Sequence, residues 1–188
     1  MLCAEIPKCG ELFLALRCAS IASPHQGRRC RSSCRLLRFI RKTGLNTREP
    51  VTNRAVGYTD NDKLQEVRDG LALHPAGGYL STALDLAKWD AVLYTDDILS
   101  DATRRQMWTP VTLNDGTSYP YGFGWELGTL RGHRQVHHGG ETSGFLSEFA
   151  RFVDDRLTVV VLMNLDDADV ESLANGVAAF YLPRLVLN

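Results

Sequence analysis

The sequence predicts an α+β fold, an antiparallel sheet with helices packed against it. Three observations carry this. Leu157 to Met163 is an unbroken apolar run rich in β-branched residues, the pattern of a strand buried on both faces. The acidic turn at Asp154-Asp155 separates it from the strand-like run Phe145 to Phe152, so the two read as a hairpin. Stretches of helical spacing follow residues that can cap them, at Ser81-Thr82 and at Asp166-Asp167.

The elements follow in order. A helical segment is expected near Glu11 to Arg17. Residues 44–80 read as loop with short elements, because Pro50, Gly57, Gly70, Pro75 and Gly77-Gly78 punctuate them. Ser81 or Thr82 starts a helix in which Leu86, Trp89 and Leu93 share a face. Ser100 caps a second helix through Met107, stopped before Pro110. Asn114-Asp115-Gly116 marks a turn. Strands are expected at about 121–128, 134–139, 145–152 and 157–164, the last in the middle of the sheet. Asp166 or Asp167 caps a final helix whose buried stripe is Val170, Leu173, Ala174, Val177 and Tyr181, and Pro183 ends it. Trp125, Phe145, Phe149 and Phe152 are assigned to the core.

With 188 residues and 44% hydrophobic content, the chain is long enough for one domain with a real core. Its net charge of −1, from 21 basic and 22 acidic side chains, gives no global field that would recruit nucleic acid or a membrane surface. The basic charge is concentrated in Arg28, Arg29, Arg31, Arg35, Arg38, Arg41 and Lys42. All five cysteines, Cys3, Cys9, Cys18, Cys30 and Cys34, lie in the same part, without a C-x-x-C pair and in odd number. Residues 1–39 are therefore read as a Cys/Arg-rich segment, disordered or translated in a wrong frame, and residues 40–188 as the folded unit. No stretch is long and apolar enough to span a bilayer. Leu12 to Leu16 followed by Ser20-Ile21-Ala22 is a poor leader, with Glu5 and Glu11 before it and Arg17 within it.

The chemistry-bearing segment is Val136-His137-His138-Gly139-Gly140-Glu141-Thr142-Ser143-Gly144-Phe145. A glycine-rich strand edge lets a substrate lie against backbone, and backbone N–H groups are the usual donors to an oxyanion. Two blander readings stand beside this one. The glycines could serve a turn, or His133, His137, His138 and Glu141 could hold zinc. Adjacent histidines on a strand point to opposite faces, which argues against zinc.

Four further segments accompany it: Gly44-Leu45-Asn46-Thr47 with Ala55-Val56-Gly57-Tyr58; Ala76-Gly77-Gly78-Tyr79-Leu80-Ser81-Thr82-Ala83-Leu84-Asp85-Leu86-Ala87-Lys88-Trp89; Tyr121-Gly122-Phe123-Gly124-Trp125-Glu126; and Val159 to Asn164. Together, from about residue 40 to the C-terminus, they resemble the C-terminal part of the serine β-lactamase and penicillin-binding protein superfamily, in the class C branch that places H-x-G where others place K-T-G. The resemblance implies the β-lactamase/transpeptidase-like fold. It implies acyl transfer from a β-lactam, ester or peptide, without metal or organic cofactor. It makes His138 the electrostatic side chain of the third motif, Gly140 its closing glycine and Glu141 the backbone N–H of the oxyanion hole. Gly77, Gly78, Gly139, Thr142 and Asn164 are then expected beside the substrate. Relatives in this superfamily are often exported.

The superfamily attacks with a serine in S-x-x-K and moves protons with Y-x-N or S-x-N. No serine here has a lysine three residues on, and no Y-x-N occurs. Lys42-Thr43-Gly44 spells K-T-G, but it sits before the Gly44 to Thr47 segment and is read as a decoy. The expectation is a portion of a serine hydrolase, inactive alone, or a non-catalytic module that complements a partner chain. The intact fold packs a helical region onto this sheet, so an apolar face should stand open and favour self-association.

Overall fold

The computed structural model describes residues 2–4, 12–17, 44–45, 51–60, 64–67 and 77–182. The basic cluster, four of the five cysteines, Asn46-Thr47 and Pro183 lie outside the described residues.

The sheet is organised around β12 (Leu157–Met163). Every residue of β12 up to Leu162 is buried, as its two-sided apolar run requires. It pairs antiparallel with β11 (Phe145–Phe152), which pairs with β10 (His133–Thr142), which pairs with β9 (Glu126–Leu130). On its other side β12 pairs antiparallel with β2 (Leu12–Arg17), giving the order β2-β12-β11-β10-β9. The helix expected near Glu11 to Arg17 is thus corrected to a strand. Leucine and alanine suit a helix, but propensity is a weak preference that tertiary context overrides, and the free edge of β12 offers a full ladder of hydrogen bonds to a neighbouring apolar run.

A second sheet holds β6 (Tyr79–Ser81) between β1 (Leu2–Ala4), which runs parallel to it, and β3 (Gly44–Leu45), which runs antiparallel. Two small hairpins pair β4 (Gly57–Asp60) with β5 (Leu64–Val67), and β7 (Val111–Thr112) with β8 (Ser118–Tyr119). Gly116, at φ +85°, turns the second.

Helix α1 (Ala83–Val92) begins at Thr82, whose hydroxyl accepts from the Asp85 N–H, and α2 (Asp101–Met107) begins in the same way at Ser100. Helix α3 (Val170–Tyr181) is capped by Asp169, which accepts from the Ser172 N–H. This corrects the expected cap at Asp166 or Asp167. Asp166 instead accepts from the Gly144 N–H at 2.9 Å, which holds its carboxyl below the ordinary range. Tyr181, expected in the buried stripe of α3, is 40% exposed, and Ala178 takes the buried position.

The two faces of β12 serve two cores. Val160 and Leu162 pack with Leu86 of α1, Trp125, Val136 and Phe149. Leu157, Val159 and Val161 pack with Ala150, Phe152 and the α3 residues Ala174 and Ala178. Strand alternation alone sorts these side chains. Among the described residues no helix is long and apolar enough to cross a membrane.

One polar device crosses the first core. Arg151, fully buried on β11, donates from Nε to Asp90 of α1 at 2.7 Å, and Thr158 of β12 donates to the same oxygen at 2.8 Å. The guanidinium lies 4.7 Å from the Tyr94 ring and 5.1 Å from the Trp108 ring. This fixes α1 onto the sheet, and α1 forms a wall of the site.

Candidate active site

Strand β10 outruns its neighbour. β9 stands opposite His133 to His137, and its last partner is Glu126 opposite His137. From His138 to Thr142, β10 is opposed by β11 alone, with no β9 residue beside it. The segment expected to continue β9 backwards, Tyr121 to Trp125, is a turn and not a strand. Gly124 has φ +73°, and the Gly122 N–H donates to the Trp125 carbonyl at 2.8 Å, so the backbone folds back before pairing can start. The edge at His138 is left open as a result.

The adjacent histidines face opposite sides, as alternation requires. His137 is buried, with Nδ1 3.1 Å from Glu148, itself 3% exposed. That hydrogen bond raises the His137 pKa above its ordinary value; burial opposes it, and the charges of Glu148, Glu126 and Glu171 add to it. His138 is exposed on the other face. Its Nε2 lies 2.8 Å from the Tyr121 hydroxyl, and its Nδ1 is bonded to the Gly139 carbonyl. His133 pairs with Asp155 at 2.6 Å. The three histidines weighed, with Glu141, as zinc ligands go to three separate partners, and among the described residues no group of three or more His, Cys, Asp or Glu is arranged around a metal position.

His138 sits at a cavity of about 340 Å³ between α1 and the sheet. Leu86, Trp89, Trp125, Phe149 and Leu162 make its apolar walls, and Tyr121, His138, Ser147 and Glu148 its polar side, with Gly124 and Gly139. A Cβ on Gly139 would stand 3.3 Å from the Glu148 carboxylate, tighter than comfortable contact. Gly140 is paired with Ser147, whose hydroxyl donates to the Gly140 carbonyl at 3.4 Å. Glu141 is exposed and opposite Leu146, and Thr142 closes the strand opposite Phe145.

The other expected substrate contacts lie elsewhere. Gly77 and Gly78 are buried ahead of β6, Gly78 at φ +81°, and neither lines the cavity. Asn164 donates to the Val56 carbonyl at 2.8 Å and its own carbonyl accepts from the Tyr58 N–H at 3.0 Å. That ties the Ala55 to Tyr58 segment to the end of β12. The tie seats Gly57 against the β10–β11 hairpin, where a Cβ on Gly144 would fall 2.8 Å from the Gly57 backbone.

Tyr121 was missed as a site residue. Its signal was present in Tyr121-Gly122-Phe123-Gly124-Trp125, but an alternating aromatic-glycine run reads as a strand until the turn is seen.

The β-lactamase family profile matches residues 36–181. Penicillin-binding protein 4* of Bacillus subtilis is 36% identical over 116 residues, which covers 58% of this chain and 25% of that protein. A D-aminopeptidase of Gluconobacter oxydans is 32% identical over 100 residues, 53% of this chain and 19% of that protein. This chain thus spans about a quarter or less of the length of these relatives. Among solved structures, the octameric penicillin-binding protein homologue from Pyrococcus abyssi superposes with a TM-score of 0.69 at 21% identity, over 80% of this chain and 36% of that one. A penicillin-binding protein from Bacillus halodurans gives 0.60 at 21%, over 79% and 48%. Those identities speak to the fold, and the profile match, which takes in every segment from Gly44 to Asn164 including the His138 edge, speaks to the lineage: this chain belongs to the β-lactamase family.

Proposed function

We propose that this chain is the portion of a serine hydrolase that supplies the wall of an acyl-transfer site opposite the nucleophile, and that it turns over no substrate alone. The observation that carries the reading is the imidazole of His138 on an open strand edge, at the mouth of an apolar cavity. An acyl group can lie along that edge with its oxyanion near backbone donors, the Glu141 N–H among them. The sequence contains no S-x-x-K and no Y-x-N to open an acyl bond. Members of a nucleophilic unit act together, so one wall retains little of the rate. The substrate class is a β-lactam, ester or peptide, and the D-aminopeptidase relatives favour a peptide or amide of a D-amino acid.

The test is direct. Purified chain is mixed with a chromogenic cephalosporin, p-nitrophenyl esters and D-amino-acid p-nitroanilides. Release at the rate of buffer is expected, and inhibitor-sensitive turnover would overturn the reading.

A second reading is a complementing module that docks on a chain carrying the nucleophile. Exposed apolar side chains favour it: Leu84 is 63% exposed and Phe123 66%. Such exposed apolar side chains would serve self-association equally. Co-expression with an S-x-x-K-bearing half of a relative should then give a stable one-to-one complex, and its absence on gel filtration would end this version.

A further inference from the structure

The two nitrogens of His138 have chemically different partners, and that difference has a consequence. Nδ1 meets the Gly139 carbonyl, which can only accept, so Nδ1 carries a proton. In a neutral ring Nε2 is then a lone pair, and the Tyr121 hydroxyl 2.8 Å away must be its donor. The rings meet edge to face, with centroids 5.8 Å apart and planes at 73°.

Tyr121 is held from both sides. Its N–H donates to the Tyr119 carbonyl at 2.7 Å, and its carbonyl accepts from the Val111 N–H at 3.0 Å. The next residue, Gly122, is pressed so closely on α2 that a Cβ there would fall 1.9 Å from the Met107 carbonyl oxygen. The Phe123 N–H donates to that same oxygen at 3.0 Å. Both Tyr121 and His138 line the cavity, and Glu148, turned to His137, is its other titratable lining residue.

We propose that Tyr121 is a positioning residue for His138: phenol and Gly139 carbonyl together hold the neutral imidazole as its Nδ1–H tautomer, with Nε2 engaged by the phenol. This rests on the acyl-transfer reading for its functional meaning, but not for its test. The neutral pair has no N–H left for a substrate oxyanion. A proton added at Nε2 reverses the bond, Nε2–H then donating to the phenolic oxygen, and the phenol O–H becomes free to donate into the cavity. The donor delivered to substrate is therefore a property of the pair, not of His138 alone.

The test is two-bond ¹⁵N–¹H correlation of the histidine rings in the full chain, with His138 assigned by the signals lost in His138→Gln. A pyrrole-type Nδ1 and a pyridine-type Nε2 are expected. In Tyr121→Phe, which keeps the ring, the Nε2 resonance should move toward that of a lone pair without a donor, while the remaining histidine signals stay in place and report an intact fold. An Nε2–H tautomer in the parent protein would overturn the proposal, and so would an Nε2 resonance unmoved in Tyr121→Phe. Turnover is not the readout, so a result against the hydrolase reading leaves this assignment standing, and the reverse.

Discussion

Removing the carboxylate of Asp90 should loosen the wall of the cavity more than any surface change. Asp90→Ala leaves the fully buried guanidinium of Arg151 without its anion and Thr158 without its acceptor. Among the described residues Nη1 and Nη2 of Arg151 have no hydrogen-bond partner, so Nε makes its one polar tie there. Breaking a buried pair from one side destabilises by about 3–5 kcal/mol. The stack on Tyr94 and Trp108 survives the change and retains about 0.5–2 kcal/mol of cation–π attraction. The lower end, about 3 kcal/mol, is therefore expected, and for a chain of this size it lowers Tm by about 6–12 °C.

The assay is urea unfolding followed by tryptophan fluorescence, since Trp89, Trp108 and Trp125 all pack against this core. Combining Asp90→Leu with Arg151→Met should restore most of the loss, because a well-packed apolar pair replaces a buried ion pair at little cost. A loss under about 1 kcal/mol in Asp90→Ala would refute the reasoning, because it falls well below the roughly 3–5 kcal/mol cost of leaving a buried charge without its partner. So would a double variant as unstable as the sum of its parts. Either would mean that α1 is held by its apolar contacts, Ala83, Leu86, Trp89 and Leu93 among them.

Other perturbations test other parts of the structure. His137 should make stability fall as pH rises. Its pKa is raised in the fold by Glu148, so the contribution is complete below the ordinary value of 6.5 and disappears as pH climbs through the raised one. Unfolding free energies measured across that window should fall in the parent protein and stay level in Glu148→Gln; an equal slope in both would refute the assignment. Gly144→Ala forces a side chain into φ +78° and against the Gly57 backbone, and should destabilise by about 1–3 kcal/mol in the same urea assay. Gly122→Ala should displace Tyr121 and reproduce the Nε2 shift of Tyr121→Phe, because the Met107 carbonyl leaves no room for a methyl group.

How much was legible in the sequence depended on whether the cause was local. The hairpin of β11 and β12, the caps at Thr82 and Ser100, and the opposed faces of His137 and His138 follow from residues within a few positions of each other, and all three are found. What failed was decided across the chain. Leu12 to Leu16 has a composition that suits a helix, and only the waiting edge of β12 makes it a strand. Asp166 is as good a capping residue type as Asp169, but the helix starts at Val170 and the Asp166 carboxylate is taken by Gly144, 22 residues earlier. The tie from the Asn164 amide to the Val56 carbonyl, 108 residues away, could not be read from the motif strand either.

The site follows the same division. The place of His138 on an approachable strand edge could be read from its own neighbours in sequence, since glycines follow the strand-end imidazole. Its tautomer could not, because the phenol that engages Nε2 belongs to a loop 17 residues earlier, folded back at Gly124 and packed through Gly122 against α2. A motif can mark the imidazole, but the tautomer proposed for it depends on the loop packed beside it. It follows that relatives sharing the His-x-Gly edge but lacking a phenol at the Tyr121 position should hold the imidazole differently, and that grafting Tyr121 to Trp125 onto such an edge should carry the Nε2 signature with it.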